Sequence, residues 1–208
     1  MPSQPQDVPA QITAVILSGG KGRRMGGQDK GLVPLAGRPM IAHVLERVSR
    51  QANTVIINAN RNITEYQQLG VRVVSDHLSD FQGPLAGMAC ALANSITPFL
   101  LVTPCDSPLL PLDLSHRLHN ALVEADAEIA VVHDGERLQP VFALLRNRLL
   151  PSLENSLRAG ERKIENWFNS RHCITVDCSD IADNFININN AEALGKLECH
   201  LQLEMSPG

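Results

Sequence analysis

The stretch ITAVILSGGKGRRMGGQDK, residues 12–30, decides the fold, because an apolar run leads directly into a glycine-rich basic loop. From residue 17 onward it contains five glycines and four cations. Glycine lets backbone N–H groups approach a ligand closely, and successive N–H groups in a tight loop form an anion-binding concavity. The stretch therefore predicts a buried strand followed by a phosphate-binding loop.

Two familiar phosphate-binding motifs do not fit this loop. A Walker A motif needs a lysine after its second glycine, but Gly27 is followed by Gln28. The dinucleotide fingerprint could begin at Gly20, but Met25 stands where its third glycine should be. The remaining pattern, with an arginine and a lysine toward its two ends, suits a polyphosphate. The alternative is an exposed basic loop without a ligand.

Composition limits the kind of ligand. The chain has 208 residues, 44% hydrophobic content, 3% aromatic content and a net charge of -4. The low aromatic content and the acidic balance argue against a nucleic-acid partner. The loop's cations are therefore a local feature, and they indicate one small phosphorylated ligand. We expect residues 1–10 to form a flexible tail and residues 11–208 to form a single domain.

Cysteine usage and hydropathy predict the cellular compartment of the protein. The five cysteines are odd in number, and no two are spaced as C-x-x-C, so we expect reduced thiols. No apolar run reaches the roughly 20 residues that span a bilayer. The N-terminus is polar and proline-rich rather than a signal peptide. We therefore expect a cytoplasmic protein with no membrane contact.

The order of predicted elements is typical of a three-layer α/β/α, Rossmann-like fold with a mostly parallel sheet. In such sheets the ligand lies beyond the carboxyl ends of the strands. Polar residues follow four predicted strands: the glycine loop after the first, then Asn58, Asp76 and Asp106. The last third also predicts a β-hairpin over residues 129–145 and a short strand over residues 185–188.

Asp106 lies in a turn between Pro104 and Pro108 at the end of a predicted strand. Mg²⁺ binds through one or two carboxylates together with ligand phosphates, so Asp106 is a candidate metal ligand. The alternative is an ordinary turn or helix-capping aspartate, and Asp76 has the same alternative. On the predicted strand over residues 185–188 and just beyond it, Asn187 and Asn189 would share one face, either toward a polar ligand or toward solvent.

Six motifs together resemble the molybdenum cofactor guanylyltransferase family, usually called MobA. In chain order they are LSGGKGRRMGGQDKG, NANR, GPLAGM, TPCDSP, HDGERLQPV and FININ. The resemblance extends over about residues 12–197. It implies a nucleotidyltransferase fold and the transfer of GMP from GTP to the terminal phosphate of molybdopterin, with release of pyrophosphate and with Mg²⁺, or alternatively Mn²⁺, as the cofactor.

The resemblance also implies roles for particular residues. The GTP-binding residues would be Leu17, Ser18, Gly19, Gly20, Lys30, Asn58, Asp76 and Asp106. The catalytic residues would be Arg24, Lys30 and Asp106, with Asp106 as the metal ligand. The acceptor, molybdopterin, would be bound by Asn187 and Asn189.

The nucleotide-binding half would cover about residues 11–110 and the acceptor-binding half about residues 111–200. We expect a monomer, and proteins that supply or receive the cofactor are expected partners only through the resemblance. Two alternatives stay open: a cytidylyl- or sugar-1-phosphate nucleotidyltransferase of the same fold, and a non-catalytic GTP-binding regulator. Gly19-Gly20 and Pro104-Cys105-Asp106 favour GTP over the cytidylyl-transferring relatives.

Overall fold

The computed structural model describes residues 11–18, 29–76, 83–188, 192–195 and 197–198. The strands are β1 (Ile12–Leu17), β2 (Pro34–Leu35), β3 (Arg38–Pro39), β4 (Thr54–Asn58), β5 (Arg72–Val74), β6 (Phe99–Pro104), β7 (Ile129–His133), β8 (Leu138–Arg146) and β9 (Cys173–Asp177). The α-helices are α1 (Met40–Val48), α2 (Ile63–Gln67), α3 (Pro84–Asn94), α4 (Leu114–Glu124), α5 (Leu150–Arg158) and α6 (Ile164–Asn169).

Seven strands form one sheet in the order β5-β4-β1-β6-β8-β7-β9. The pairings β1 with β4, β1 with β6, β4 with β5 and β7 with β9 are parallel, whereas β8 runs antiparallel to both β6 and β7. The prediction of a mostly parallel sheet is therefore confirmed. Leu17, at the end of β1, lies in register with Asn58 and Pro104, so three strands end side by side.

Hydrophobic cores cover both faces of the sheet. On one face, side chains of β1 such as Ile12 and Ile16 pack with the apolar residues of α1 and α4. On the other face, Val15 and Leu17 pack with apolar residues of α3, α5 and α6. Alternate β1 residues thus pack into opposite cores, which explains why every residue of the strand is buried and all but Thr13 are apolar. The predicted three-layer arrangement is confirmed.

A small ribbon of β2 and β3, which we did not predict, follows the glycine-rich loop in the chain. Its two turn residues, Ala36 and Gly37, both have positive φ, as a tight two-residue hairpin turn requires. Leu35 of this ribbon packs in a small core with Ile188 and Leu197. The ribbon therefore anchors the C-terminal segment close to the end of the loop.

The predicted strand over residues 185–188 is wrong. Residues Ser179–Phe185 form a 3-10 helix, and residues 186–188 have no regular structure. The apolar residues of this segment do not share one sheet face: Phe185 contacts Phe142 edge-on, Ile186 is exposed, and Ile188 joins the core of the ribbon. Asn189 lies outside the described residues, so its predicted position beside Asn187 stays a prediction.

Among the described residues, no helix is long and apolar enough to cross a membrane.

Candidate functional site

The carboxyl ends of β1, β4 and β6 form the floor of the site. The backbone N–H of Ser18 donates to the carbonyl of Asn58 over 2.8 Å, and the N–H of Cys105 donates to the carbonyl of Leu17 over 3.2 Å. These bonds extend the sheet by one residue beyond the strands. Leu17 and Ser18 are both buried, so neither side chain is exposed at this edge.

Lys30 and Asp106 form an ion pair at this edge. Their Nζ and Oδ2 atoms are 2.9 Å apart, and the two side chains are 26% and 11% exposed. Lys30 begins a short 3-10 turn, Lys30–Leu32, at the end of the glycine-rich loop, whereas Asp106 follows β6. The structure thus brings together two predicted site residues that are 76 positions apart.

Asn58 and Asp76, which we predicted to contact the nucleoside, are hydrogen-bonded to each other. The Asn58 amide donates to one carboxylate oxygen of Asp76 over 2.9 Å, and the Asn60 amide donates to the other over 2.8 Å. The backbone N–H of Asp76 donates back to Asn60 Oδ1 over 2.9 Å. The partners of Asp76 thus come from the end of β4 and the residues just after it, whereas residues 77–82, which an ordinary turn at Asp76 would involve, lie outside the described residues.

Helix α3 approaches this polar cluster closely at Gly87. A Cβ atom at that position would lie 2.5 Å from Asn58 Oδ1 and 2.8 Å from a methyl carbon of Leu17. Both distances are shorter than real contacts. Gly87, the second glycine of the GPLAGM motif, is therefore needed for helix α3 to lie against the ends of β1 and β4.

Asp29 is a site residue that sequence reasoning missed. Its side chain is 6% exposed and faces Arg61 Nε over 3.3 Å. Its carboxylate also accepts hydrogen bonds from Tyr66 Oη over 2.6 Å and from Asn62 Nδ2 over 3.0 Å. Burial, followed by the hydrogen bond to Asp29, raises the pKa of Tyr66 far above its ordinary value. The available signal was an acid next to Lys30 and a single tyrosine in the whole chain.

The segment proposed to bind the acceptor lies against the turn that carries Asp106. The Ser107 hydroxyl donates to Asn187 Oδ1 over 2.5 Å, and the N–H of Ile188 donates to the carbonyl of Asp106 over 2.8 Å. The Asn184 amide donates to the carbonyl of Leu109 over 2.7 Å. Sequence reasoning missed Ser107, because it lies 80 positions from its partner.

The HDGERLQPV motif forms the turn between β7 and β8. The pairing of β7 with β8 shifts after Val131, so that Val132 pairs with Gln139. The Gln139 amide then donates to Asp134 over 2.6 Å. Partial burial acts to raise the pKa of Asp134, but this bond and the backbone N–H groups of Arg137 and Glu136 lower it to about 2. The turn therefore holds a fixed negative charge near the predicted acceptor side.

Four predicted site residues, Gly19, Gly20, Arg24 and Asn189, lie outside the described residues. Cys105, beside Asp106, is buried, and burial raises the pKa of its thiol to about 12. This thiol is therefore protonated at neutral pH and is a poor nucleophile.

A divalent metal fits this site only if the ligand supplies part of the coordination. Within the described ranges, no three histidine, cysteine or acidic side chains are grouped as a metal site. Asp106 supplies a hard carboxylate at the rim, which suits a cation that is shared with phosphate oxygens. The donor set is thus compatible with Mg²⁺ bound together with a polyphosphate.

Comparison with known proteins identifies the family. Residues 14–174 match the family model described as a MobA-like NTP transferase domain. The molybdenum cofactor guanylyltransferase of Shewanella pealeana is 50% identical over 183 residues, which cover 88% of this chain and 92% of that protein. The relative of the same name from Shewanella baltica is 48% identical over 188 residues, which cover 90% of this chain and 96% of that protein.

Solved structures agree at the level of the fold. Molybdopterin-guanine dinucleotide biosynthesis protein A from Archaeoglobus fulgidus has a TM-score of 0.75 at 23% identity, covering 93% of this chain and 100% of its own. The 4-diphosphocytidyl-2C-methyl-D-erythritol synthase from Anaerococcus prevotii has a TM-score of 0.70 at 14% identity, covering 92% of this chain and 98% of its own. The resemblance carried by the six motifs is confirmed, and the chain belongs to the MobA-like NTP transferase family.

Proposed function

We propose that this protein transfers GMP from GTP to the terminal phosphate of molybdopterin. A phosphate oxygen of the acceptor attacks the α-phosphorus of GTP, the bond between the α-phosphorus and the bridging oxygen breaks, and pyrophosphate leaves with that oxygen. The names of the curated relatives support this reaction, since they are about half identical to this chain over most of its length.

The observation that carries the proposal is the position of the turn after β6. This turn contacts the end of the phosphate-binding loop through the Lys30–Asp106 pair. It also contacts the candidate acceptor segment through Ser107 and through the carbonyl of Asp106. A donor nucleotide and an acceptor phosphate held on the two sides of one turn would meet at Asp106. Such positioning is the main catalytic requirement of a nucleotidyl transfer.

On the donor side, we assign the backbone of Leu17, Ser18, Gly19 and Gly20 to the nucleotide. The Asn58–Asp76 pair suits the nucleoside, because a carboxylate held by two amides can still accept further hydrogen bonds from nucleoside N–H or O–H groups. Lys30 and Arg24 would neutralise charge on the phosphates. On the acceptor side, Asn187 and Asn189 would hydrogen-bond the polar pterin.

Mg²⁺, or alternatively Mn²⁺, would be held by Asp106 together with the phosphates. When bound, the ion would polarise the phosphoryl oxygens and offset their negative charge. Lys30 lies close enough to Asp106 to keep this carboxylate in place before the substrates arrive. We further propose a cytoplasmic, monomeric enzyme that exchanges its substrate and product with the proteins that supply and receive the cofactor.

The test is incubation of the protein with molybdopterin, Mg²⁺ and each of the four nucleoside triphosphates in turn. We expect pyrophosphate and a pterin dinucleotide with GTP, and at least tenfold slower formation with CTP, ATP or UTP. Asp106→Asn, which keeps the shape of the side chain, should abolish most of the transfer. Preference for CTP, or transfer only to a sugar phosphate, would support the cytidylyl or sugar alternatives. GTP binding without any transfer would support a regulator.

A further inference from the structure

Asp29 is held by the turn before α2 and by α2 itself. Its donors are Arg61, Asn62 and Tyr66, which lie 32 to 37 positions further along the chain. A carboxylate that is only 6% exposed needs such partners, because a buried charge is costly unless it is paired and hydrogen-bonded. The bonds therefore fix the end of the phosphate-binding loop to a neighbouring helix.

Fixing Asp29 also fixes the start of Lys30. The two residues are adjacent, and the Asp29 carbonyl accepts the N–H of Leu32 over 3.0 Å, which closes the turn Lys30–Leu32. Lysine has a long, flexible side chain, and holding it in one position costs rotamer entropy. A fixed backbone at Asp29 reduces the set of positions from which Lys30 can reach Asp106.

Tyr66 contacts this turn on a second side. A Cβ atom on Gly31 would lie 2.6 Å from the Tyr66 hydroxyl and 3.4 Å from Cys105 Cβ. The backbone of the turn thus lies directly on the tyrosine, which is fully buried. A phenylalanine would fill the same hydrophobic core, so the hydroxyl group is what distinguishes Tyr66 from an ordinary core residue.

We propose that Tyr66 is a positioning residue for the phosphate site, where its hydroxyl group, acting through Asp29, holds Lys30 in the geometry that binds the nucleoside triphosphate. This inference rests on the proposed function only in taking Lys30 as a phosphate ligand. Tyr66 touches no substrate in this scheme, and its effect should therefore depend on Lys30.

A double-mutant cycle tests this dependence. The dissociation constant of GTP with Mg²⁺ is measured by calorimetry for the wild type, Tyr66→Phe, Lys30→Ala and the double variant. We expect Tyr66→Phe to weaken binding about tenfold in the wild-type background, equal to about 1.4 kcal/mol, and less than twofold in the Lys30→Ala background. The KM for molybdopterin should stay unchanged in Tyr66→Phe. A general loss of structure would instead weaken the binding of both substrates.

Thr97→Val is the matched control. It also removes one partly buried hydroxyl group, at the opposite edge of the sheet, before β6 begins. The Thr97 hydroxyl lies 2.8 Å from Thr13 Oγ1, 3.0 Å from the Phe99 carbonyl oxygen and 3.1 Å from Ser95 Oγ. The melting temperature of Thr97→Val shows how much stability is lost when a hydroxyl group is removed far from the site. The affinity of this variant for GTP should stay within twofold of the wild type.

Two results would overturn the inference: wild-type affinity in Tyr66→Phe, or the same fold-change in both backgrounds. If the wild type binds another nucleoside triphosphate in place of GTP, the proposed function is wrong about the base. The cycle is then run with that nucleotide, because the phosphates are common to all of them, and the same two results decide the role of Tyr66.

Discussion

Gly87→Ala should impair both the use of GTP and the stability of the fold. The added methyl group would lie 2.5 Å from Asn58 Oδ1 and 2.8 Å from Leu17 Cδ2, so at least one of these groups, or helix α3, must move. We expect the Asn58 amide to move, because it is the end of a side chain rather than part of the backbone of α3. Its displacement would break the hydrogen bond to Asp76.

Both effects can be given a size. Alanine is better than glycine in a helix by about 1 kcal/mol, whereas overpacking costs about 1–3 kcal/mol and a lost hydrogen bond to a charged group costs about 1.5–3 kcal/mol. The free energy of unfolding should therefore fall by about 1.5–5 kcal/mol. If Asp76 holds the nucleoside only when Asn58 orients it, kcat/KM for GTP should fall about 10- to 100-fold.

Urea unfolding and initial rates of pyrophosphate release at varied GTP would measure both effects. Gly195→Ala is the matched control, since a Cβ there meets no described atom within 4 Å. It should leave kcat/KM for GTP unchanged. The reasoning fails if Gly87→Ala loses stability but keeps the wild-type kcat/KM, because the clash would then be absorbed without disturbing the Asn58–Asp76 pair.

Two further predictions concern the acceptor side. Ser107→Ala removes the hydroxyl group that donates to Asn187 Oδ1. The KM for molybdopterin should therefore rise about tenfold, while the affinity for GTP stays within twofold of the wild type. Equal losses for both substrates would contradict this prediction. Asp134 has a folded pKa of about 2, below its ordinary value of 3.8, so its stabilising contribution is complete above about pH 4 and is lost as the pH falls toward 2. Asp134→Asn should therefore lower the free energy of unfolding at pH 6 by up to about 1 kcal/mol, since the group is only partly buried, and by less at pH 2; chemical denaturation at both pH values would show an unchanged difference if this is wrong.

The residues at the strand ends could be predicted because two simple rules act together. Apolar runs such as residues 54–58 identify buried strands, and parallel strands that alternate with helices all end at one edge of the sheet. Asn58, Asp76 and Asp106 are therefore placed at this edge by topology alone, whatever their side-chain contacts, whereas Lys30 lies in the loop beyond the end of β1.

The pairing of side chains across that edge could not be predicted. Asp29 and Tyr66 are 37 positions apart, and their bond depends on the angle at which α2 leaves β4. Asn62, which follows NANR and precedes α2, takes a left-handed backbone conformation that asparagine tolerates but that the sequence does not require. The strand predicted over residues 185–188 was wrong for a related reason, because hydrophobic alternation does not show which core each side chain enters.

The sheet order also determines when β1 can pair with its neighbours while the chain is being synthesised. Strand β1 lies between β4 and β6, yet β6 is synthesised more than 80 residues after β1. At a synthesis rate of about 5–20 residues per second, the edge of β1 that pairs with β6 stays unpaired for roughly 4 to 17 s. During that interval the nascent chain has Lys30 but not Asp106. A fragment released from the ribosome before residue 104 would have a basic loop and an open strand edge. We expect such a fragment to bind chaperones rather than GTP.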